Sequence, residues 1–108
     1  MNCAAILVLT QMPDRVSAQS LARSLVEARL AACVSIGAPA QSLYHWRGEI
    51  ETVQEIPVTV KTSRERYAEV ESAIRARHPY ELPEIVAVPI IDGFVDYLDW
   101  INGETAAI

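Results

Sequence analysis

Cys33 and His78 are the residues whose chemistry is most readily put to use. Thiolate and imidazole are the donors that suit copper and zinc. Neither sits in a C-x-x-C or H-E-x-x-H spacing, so residue type carries this reading and spacing does not. Cys33 lies in LAACV, a run where a small buried hydrophobe serves equally well. His78 ends a helical segment, where the macrodipole favours its cation and its ring can satisfy orphan carbonyls. From it runs His78-Pro79-Tyr80-Glu81-Leu82-Pro83-Glu84, a proline-stiffened loop that carries a phenol and a carboxylate toward the imidazole. His78 and Glu84 are the expected metal-ligand pair, with Cys33 a third if its thiol reaches the same cleft, and the ion would be weakly held copper or zinc. The same loop could instead be a rigid connector at a subunit interface.

A second cluster, Tyr44-His45-Trp46, precedes a turn at Arg47-Gly48. Aromatics exposed at a hairpin tip usually mark an interface, which is favoured here over ligand stacking. His45 reads as a surface residue with at most a weak metal contact. Asp92, Asp96 and Asp99 have i, i+4 and i+3 spacing, which puts them on one helical face; a solvated surface is the commoner role of such a face.

The elements that must position these groups follow from the apolar pattern. Ala4 to Thr10 is a continuous apolar run that reads as a buried strand. From Asp14 to Leu30, Ala18, Leu21, Ala22, Leu25 and Ala28 recur at helical spacing. Cys33 to Ile36 and Ser42 to Trp46 form one β arm interrupted at Gly37 to Pro39, and Ile50 to Lys61 returns beside it in period two. Pro57 has no amide donor, so it belongs at an edge or a bulge. Thr62-Ser63-Arg64-Glu65 has capping-box spacing and should open a second helix that turns Tyr67, Val70, Ala73 and Ile74 inward. That helix stops at His78-Pro79. Ile85 to Ile91 is a last strand, and Phe94 to Ile101 a short closing helix.

The order β-α-β-β-α-β is the ferredoxin-like plan, so the fold class is α+β: a single domain over residues 1–108 with a long hairpin and a C-terminal helix. Right-handed crossovers put both main helices on one face of the sheet. The first and last strands are nevertheless apolar at almost every position, and one short helix is a small lid for the other face. Association with further copies is the expected cover, with the overlong hairpin supplying strands for pairing.

Composition narrows the function. Nine basic against fourteen acidic residues give a net charge of -5, and residues 79–108 hold no Lys or Arg. A nucleic-acid partner is therefore not expected. Apolar runs are too short for a membrane span, so no membrane partner is expected either. Two cysteines, Cys3 and Cys33, and the absence of a signal-peptide pattern indicate a cytoplasmic protein with reduced thiols. There is no P-loop, G-x-G-x-x-G or G-x-S-x-G, which argues against a conventional enzyme.

Several segments resemble the CutA family, named for divalent-cation tolerance: Leu25 to Ile36 (LVEARLAACVSI), Ser42 to Glu51 (SLYHWRGEIE), Lys61-Thr62, His78 to Ile85 (HPYELPEI) running into AVPI, and Tyr97-Leu98-Asp99-Trp100. They span nearly the whole chain in order. The resemblance implies a homotrimer related in architecture to PII signalling proteins, with Tyr44, Trp46, Tyr80 and Trp100 at the subunit interface or cleft. It also implies binding of divalent or soft metal ions, notably copper, and a role in metal tolerance. Some members have a cysteine where this chain has Thr10, which leaves one soft ligand fewer. The alternative is a PII-like signalling module that binds a small ligand in inter-subunit clefts. A nucleotide cleft would need glycine-rich backbone and converging Lys or Arg, and the chain has four Gly and a single Lys.

Overall fold

The computed structural model describes residues 5–106; Cys3 and Ala4, the first residue of the expected opening strand, lie outside them. The elements are β1 (Ala5–Met12), α1 (Arg15–Glu27), β2 (Cys33–Ile36), β3 (Ala40–Trp46), β4 (Glu49–Ser63), α2 (Tyr67–Arg77), β5 (Val86–Pro89) and α3 (Val95–Glu104). The sheet runs β2-β4-β1-β5, every pair antiparallel, with β3 continuing the β2 side of β4. This is the expected α+β plan, including the long hairpin with one interrupted arm.

The interruption has a cause in Pro57. Gly37 N donates to Pro57 O at 2.9 Å, and the N–H that a strand residue would return to Gly37 O is missing from proline. Arg15 Nη2 takes that carbonyl at 3.1 Å instead. Pro57 therefore sits at a break in the ladder, as its chemistry requires.

On one face, Ile6, Val8 and Met12 of β1 and Ile56, Val58 and Val60 of β4 meet Ala18, Leu21 and Leu25 of α1 and Val70 and Ile74 of α2. Each Val, Leu, Ile or Met among them contributes about 1.5–3 kcal/mol by leaving water. Asp14 caps α1, its carboxylate accepting from Ser17 N at 2.8 Å. The helix ends at Glu27, before Ala28, which is exposed. Arg29 turns the chain away at φ 59°.

Two further sequence expectations fail. Thr62 and Ser63 extend β4, paired with Ile6 and Ala5, and α2 begins only after a turn of 3-10 helix over Arg64–Arg66. The capping box is not formed, because the Thr62 hydroxyl donates to Leu30 O at 2.7 Å and long-range pairing outcompetes the local cap. Asp92 precedes α3, so it does not share a helical face with Asp96 and Asp99.

The other face of the sheet carries Leu7 and Leu9 beside Val88 and Val86, their register partners. Lys61 Nζ reaches Tyr97 Oη of α3 at 3.4 Å, so the helix lies over part of this face. Val86 and Val88 remain 47% and 42% exposed, and Ile91 and Phe94 beyond them are more so.

Candidate functional site: a cleft under the hairpin

Arg47 and Gly48 form the hairpin turn with φ 52° and 84°, between the paired residues Trp46 and Glu49. Two positive φ values in a two-residue loop are the primed turn that matches strand twist. From this tip Arg47 Nη2 reaches Glu81 Oε1 at 2.7 Å and its guanidinium lies 5.3 Å from the centre of the Trp46 ring. Both charged side chains are largely exposed, so the pair contributes at most about 1 kcal/mol. It does tie the hairpin to the loop after α2.

Between hairpin and loop lies a cavity of about 620 Å³, whose walls include Tyr44, Trp46 and Tyr80 and four carboxylates: Glu51, Glu55, Glu81 and Glu84. Glu55 is 6% exposed. The Tyr80 hydroxyl donates to it, and burial, that hydrogen bond and the nearby Glu55 charge push the phenol up to about 12. Gln11 also lines the cavity, and its amide oxygen is buried without a hydrogen-bond partner among the described residues.

His78 stands behind Tyr80 rather than in the cavity wall, the two rings 4.6 Å apart. Nε2 is 2.6 Å from Gln11 O. A carbonyl only accepts, so Nε2 carries the hydrogen and Nδ1 is the lone-pair nitrogen; Tyr80 N donates to Nδ1 at 3.3 Å. The ring does not cap α2, whose last residue it follows in extended conformation.

Of the residues singled out from sequence, Tyr44, Trp46, Tyr80 and Glu84 share this cleft, and His78 backs it. Cys33 does not join them. It pairs with Lys61, four residues along β4 from Pro57, the partner of Gln11; that is about 13 Å at ordinary strand rise, and β2 lies on the opposite side of β4 from β1. Trp100 stacks on Tyr97 at 5.5 Å within α3. His45, Asp92, Asp96 and Asp99 are exposed. Among the described residues no three His, Cys, Asp or Glu side chains converge as a metal site. Gln11, Glu51 and Glu55 were not legible as site residues. The one available signal was a carboxylate, Glu55, at the point where the strand turns apolar.

Among the described residues no Lys, Arg or Gly lines the cleft, and Lys61 is engaged by Tyr97. A PII-like nucleotide pocket is not favoured by that lining. No helix among the described residues is long and apolar enough to cross a membrane.

Residues 6–104 match the family model described as CutA1 divalent ion tolerance protein. The divalent-cation tolerance protein CutA of Thermus thermophilus is 42% identical over 99 residues, covering 92% of this chain and 96% of that protein. The crystal structure of CutA from Xylella fastidiosa superposes with a TM-score of 0.92 at 42% identity, over 94% of this chain and 98% of the other. The CutA of Archaeoglobus fulgidus, described as a periplasmic divalent cation tolerance protein, gives 0.90 at 38% identity over 94% and 98%. With a family match over almost all of its length and relatives of this identity, the chain belongs to the CutA1 divalent ion tolerance family.

Proposed function

We propose that the chain serves divalent-cation tolerance as a cytoplasmic homotrimer that holds divalent or soft metal ions weakly, copper or zinc being the ions its donors suit. The observation that carries the metal reading is the His78 Nε2 contact with Gln11 O. Metal-ligating histidines are commonly held in this way, by donation from the other ring nitrogen to a carbonyl. Nδ1 is then the lone-pair nitrogen, engaged among the described residues by a long contact from Tyr80 N. A residue set that, among the described residues, does not close around an ion within one chain fits weak, shared binding better than a resident cofactor. Glu84, on the same loop, is the carboxylate proposed to join His78, and Cys33 is a separate thiol contact.

The trimer is supported by the uncovered apolar face at Val86, Val88, Ile91 and Phe94, since exposed patches of this kind mark association surfaces. The cytoplasmic assignment rests on sparse cysteine use, and fractionation of the expressing cells tests it.

The metal reading is tested by copper and zinc titration of wild type, His78→Ala and Glu84→Gln at pH 7.5. Weaker binding in both variants is expected. Unchanged affinity in both, with the oligomer intact, rejects these ligands. Light scattering that shows a stable species near the 11.9 kDa of one chain rejects the trimer.

A further inference from the structure

α3 is a weak helix held at its far end by side chains from three other parts of the fold. It is 10 residues long, shorter than an isolated helix needs to be stable in water. Gly103, in its last turn, lowers its propensity further. No side chain caps its start, its last turn carries no basic residue, and Ile101 is its buried side chain.

The last carbonyls of a helix need donors from outside it, and here such donors converge. Arg66, in the 3-10 turn before α2, donates from Nε to Thr105 O at 2.8 Å. Its Nη1 lies 2.6 Å from Glu69 Oε1 and its side chain is 17% exposed, so both sides of the guanidinium are engaged. Arg29, in the turn after α1, donates from Nη1 to Glu104 O at 3.4 Å and to Glu104 Oε1 at 3.3 Å. Thr105 is fully buried. Its Oγ1 donates to Ile101 O at 2.9 Å and, having one hydrogen, accepts from Ser63 Oγ of β4 at 3.1 Å. Two guanidinium groups thus face the negative end of the helix dipole.

At its other end Tyr97 Oη accepts from Lys61 Nζ at 3.4 Å. Cys33 is the register partner of Lys61, and residues paired across strands share a face. The half-buried Cys33 thiol therefore stands on the face of the sheet that α3 overlies. We propose that α3 is a strap over this face, latched shut by Arg66 and Arg29, and that it opens as a unit ahead of the sheet when the latch is released. An element of low intrinsic stability docked at its end opens locally while the core stays folded. The two arms differ in kind. The Arg29–Glu104 pair is 53% and 46% exposed and is screened by salt, whereas the Arg66 arm ends on a carbonyl and is shielded from water. This goes beyond the metal-tolerance reading and does not rest on it.

The test labels Cys33 with dithiobis(nitrobenzoate) in metal-free Cys3→Ser protein, the thiolate attacking the disulfide and expelling one thionitrobenzoate, and follows amide hydrogen exchange in parallel. In Arg66→Ala labelling should quicken about tenfold or more, and Arg66→Lys should recover part of the closure. The amides of Val95–Glu104 should lose protection while those of β1 and β4 keep it. Arg29→Ala, at an exposed pair whose loss does not threaten folding, should give a smaller gain over wild type that disappears in about 1 M salt; it carries the test if Arg66→Ala does not fold. Wild type that labels as fast as an unfolded thiol, labelling unmoved by either alanine variant, or protection lost equally from β1 and β4 overturns the proposal. So does labelling that quickens on dilution, because separation of subunits and not α3 then uncovers the thiol. A rate raised by Arg66→Ala and independent of protein concentration supports the strap, whatever the copper and zinc titrations give.

Discussion

His78 Nε2 and the main-chain oxygen of Gln11, 67 residues apart in sequence, are 2.6 Å apart in space. The contact exists because β1 outruns its neighbour: β5 stops pairing at Leu9 opposite Val86. On the β4 side, Pro57 turns its carbonyl to Gly37, so Gln11 O points past the end of β5. A buried carbonyl there needs a donor, and the imidazole at the end of α2 supplies it.

Removing that donor should be expensive. His78→Ala leaves Gln11 O and Tyr80 N unpartnered, at about 1–3 kcal/mol for each orphaned buried group. His78→Gln, which can still donate, should recover part of the loss. Urea unfolding of the three proteins checks this, and equal midpoints for wild type and His78→Ala would show the bond to be energetically idle.

Tyr80 gives a pH signature. Its phenol is raised from 10.0 to about 12, chiefly by burial and then by the bond to Glu55. A pKa higher in the folded than in the unfolded state stabilises the fold fully below the unfolded value, and that stability is lost as pH rises through the folded one. Wild type should therefore exceed Tyr80→Phe by about 1.5–3 kcal/mol, the worth of a hydrogen bond to a charged group, at neutral pH. The two curves should converge between pH 10 and about 12. Parallel curves across that range would separate Tyr80 from the alkaline loss.

How much was legible in sequence differs between fold and cleft. Apolar period and turn residues are local, and they placed β1, α1 and the hairpin with its turn at Arg47-Gly48. The capping box at Thr62 misled because its competitor is not local: Thr62 pairs with Ile6 across the sheet. Gln11 and Glu55 meet the Tyr80 loop only through the β1–β4 register, in which Gln11 opposes Pro57, two residues from Glu55. No spacing along the chain encodes that. His78 and Tyr80 were found by type, but which ring nitrogen is free follows from a carbonyl on another strand.

Assembly should depend on the uncovered face and on the hairpin tip. Val88→Glu puts a charge at a position 42% exposed in one chain, so the monomer can fold while the proposed trimer would have to bury it at a cost of several kcal/mol. Light scattering should then show dissociation. Trp46→Ala should weaken association by on the order of 2–4 kcal/mol if the tip is an anchor. Unchanged assembly would return Trp46 to the cleft alone.

Gly37 is required by a close approach. A Cβ there would lie 2.9 Å from Pro57 Cγ, inside any ordinary contact, where the ladder is already broken. Gly37→Ala should cost about 1–3 kcal/mol, the usual range for overpacking. The double variant Gly37→Ala with Pro57→Ala should regain part of it. Failure of the second change to help in thermal unfolding would mean that the backbone, not the proline ring, sets the limit.

Two threonines on the core face of the sheet should respond oppositely to one substitution. Thr10 and Thr62 are both buried, at 1% and 0% exposure, and oppose Val58 and Ile6. The Thr62 hydroxyl donates to Leu30 O at 2.7 Å, so Thr62→Val orphans a carbonyl and should destabilise by about 1 kcal/mol or more. The Thr10 hydroxyl has no partner among the described residues. It was desolvated for nothing, and Thr10→Val fills the same shape without that cost, so it should stabilise by about 1 kcal/mol. Opposite shifts in the urea midpoint of the two variants are expected. If Thr10→Val also destabilises, its hydroxyl has a partner in solution, and this strand position contributes more than packing.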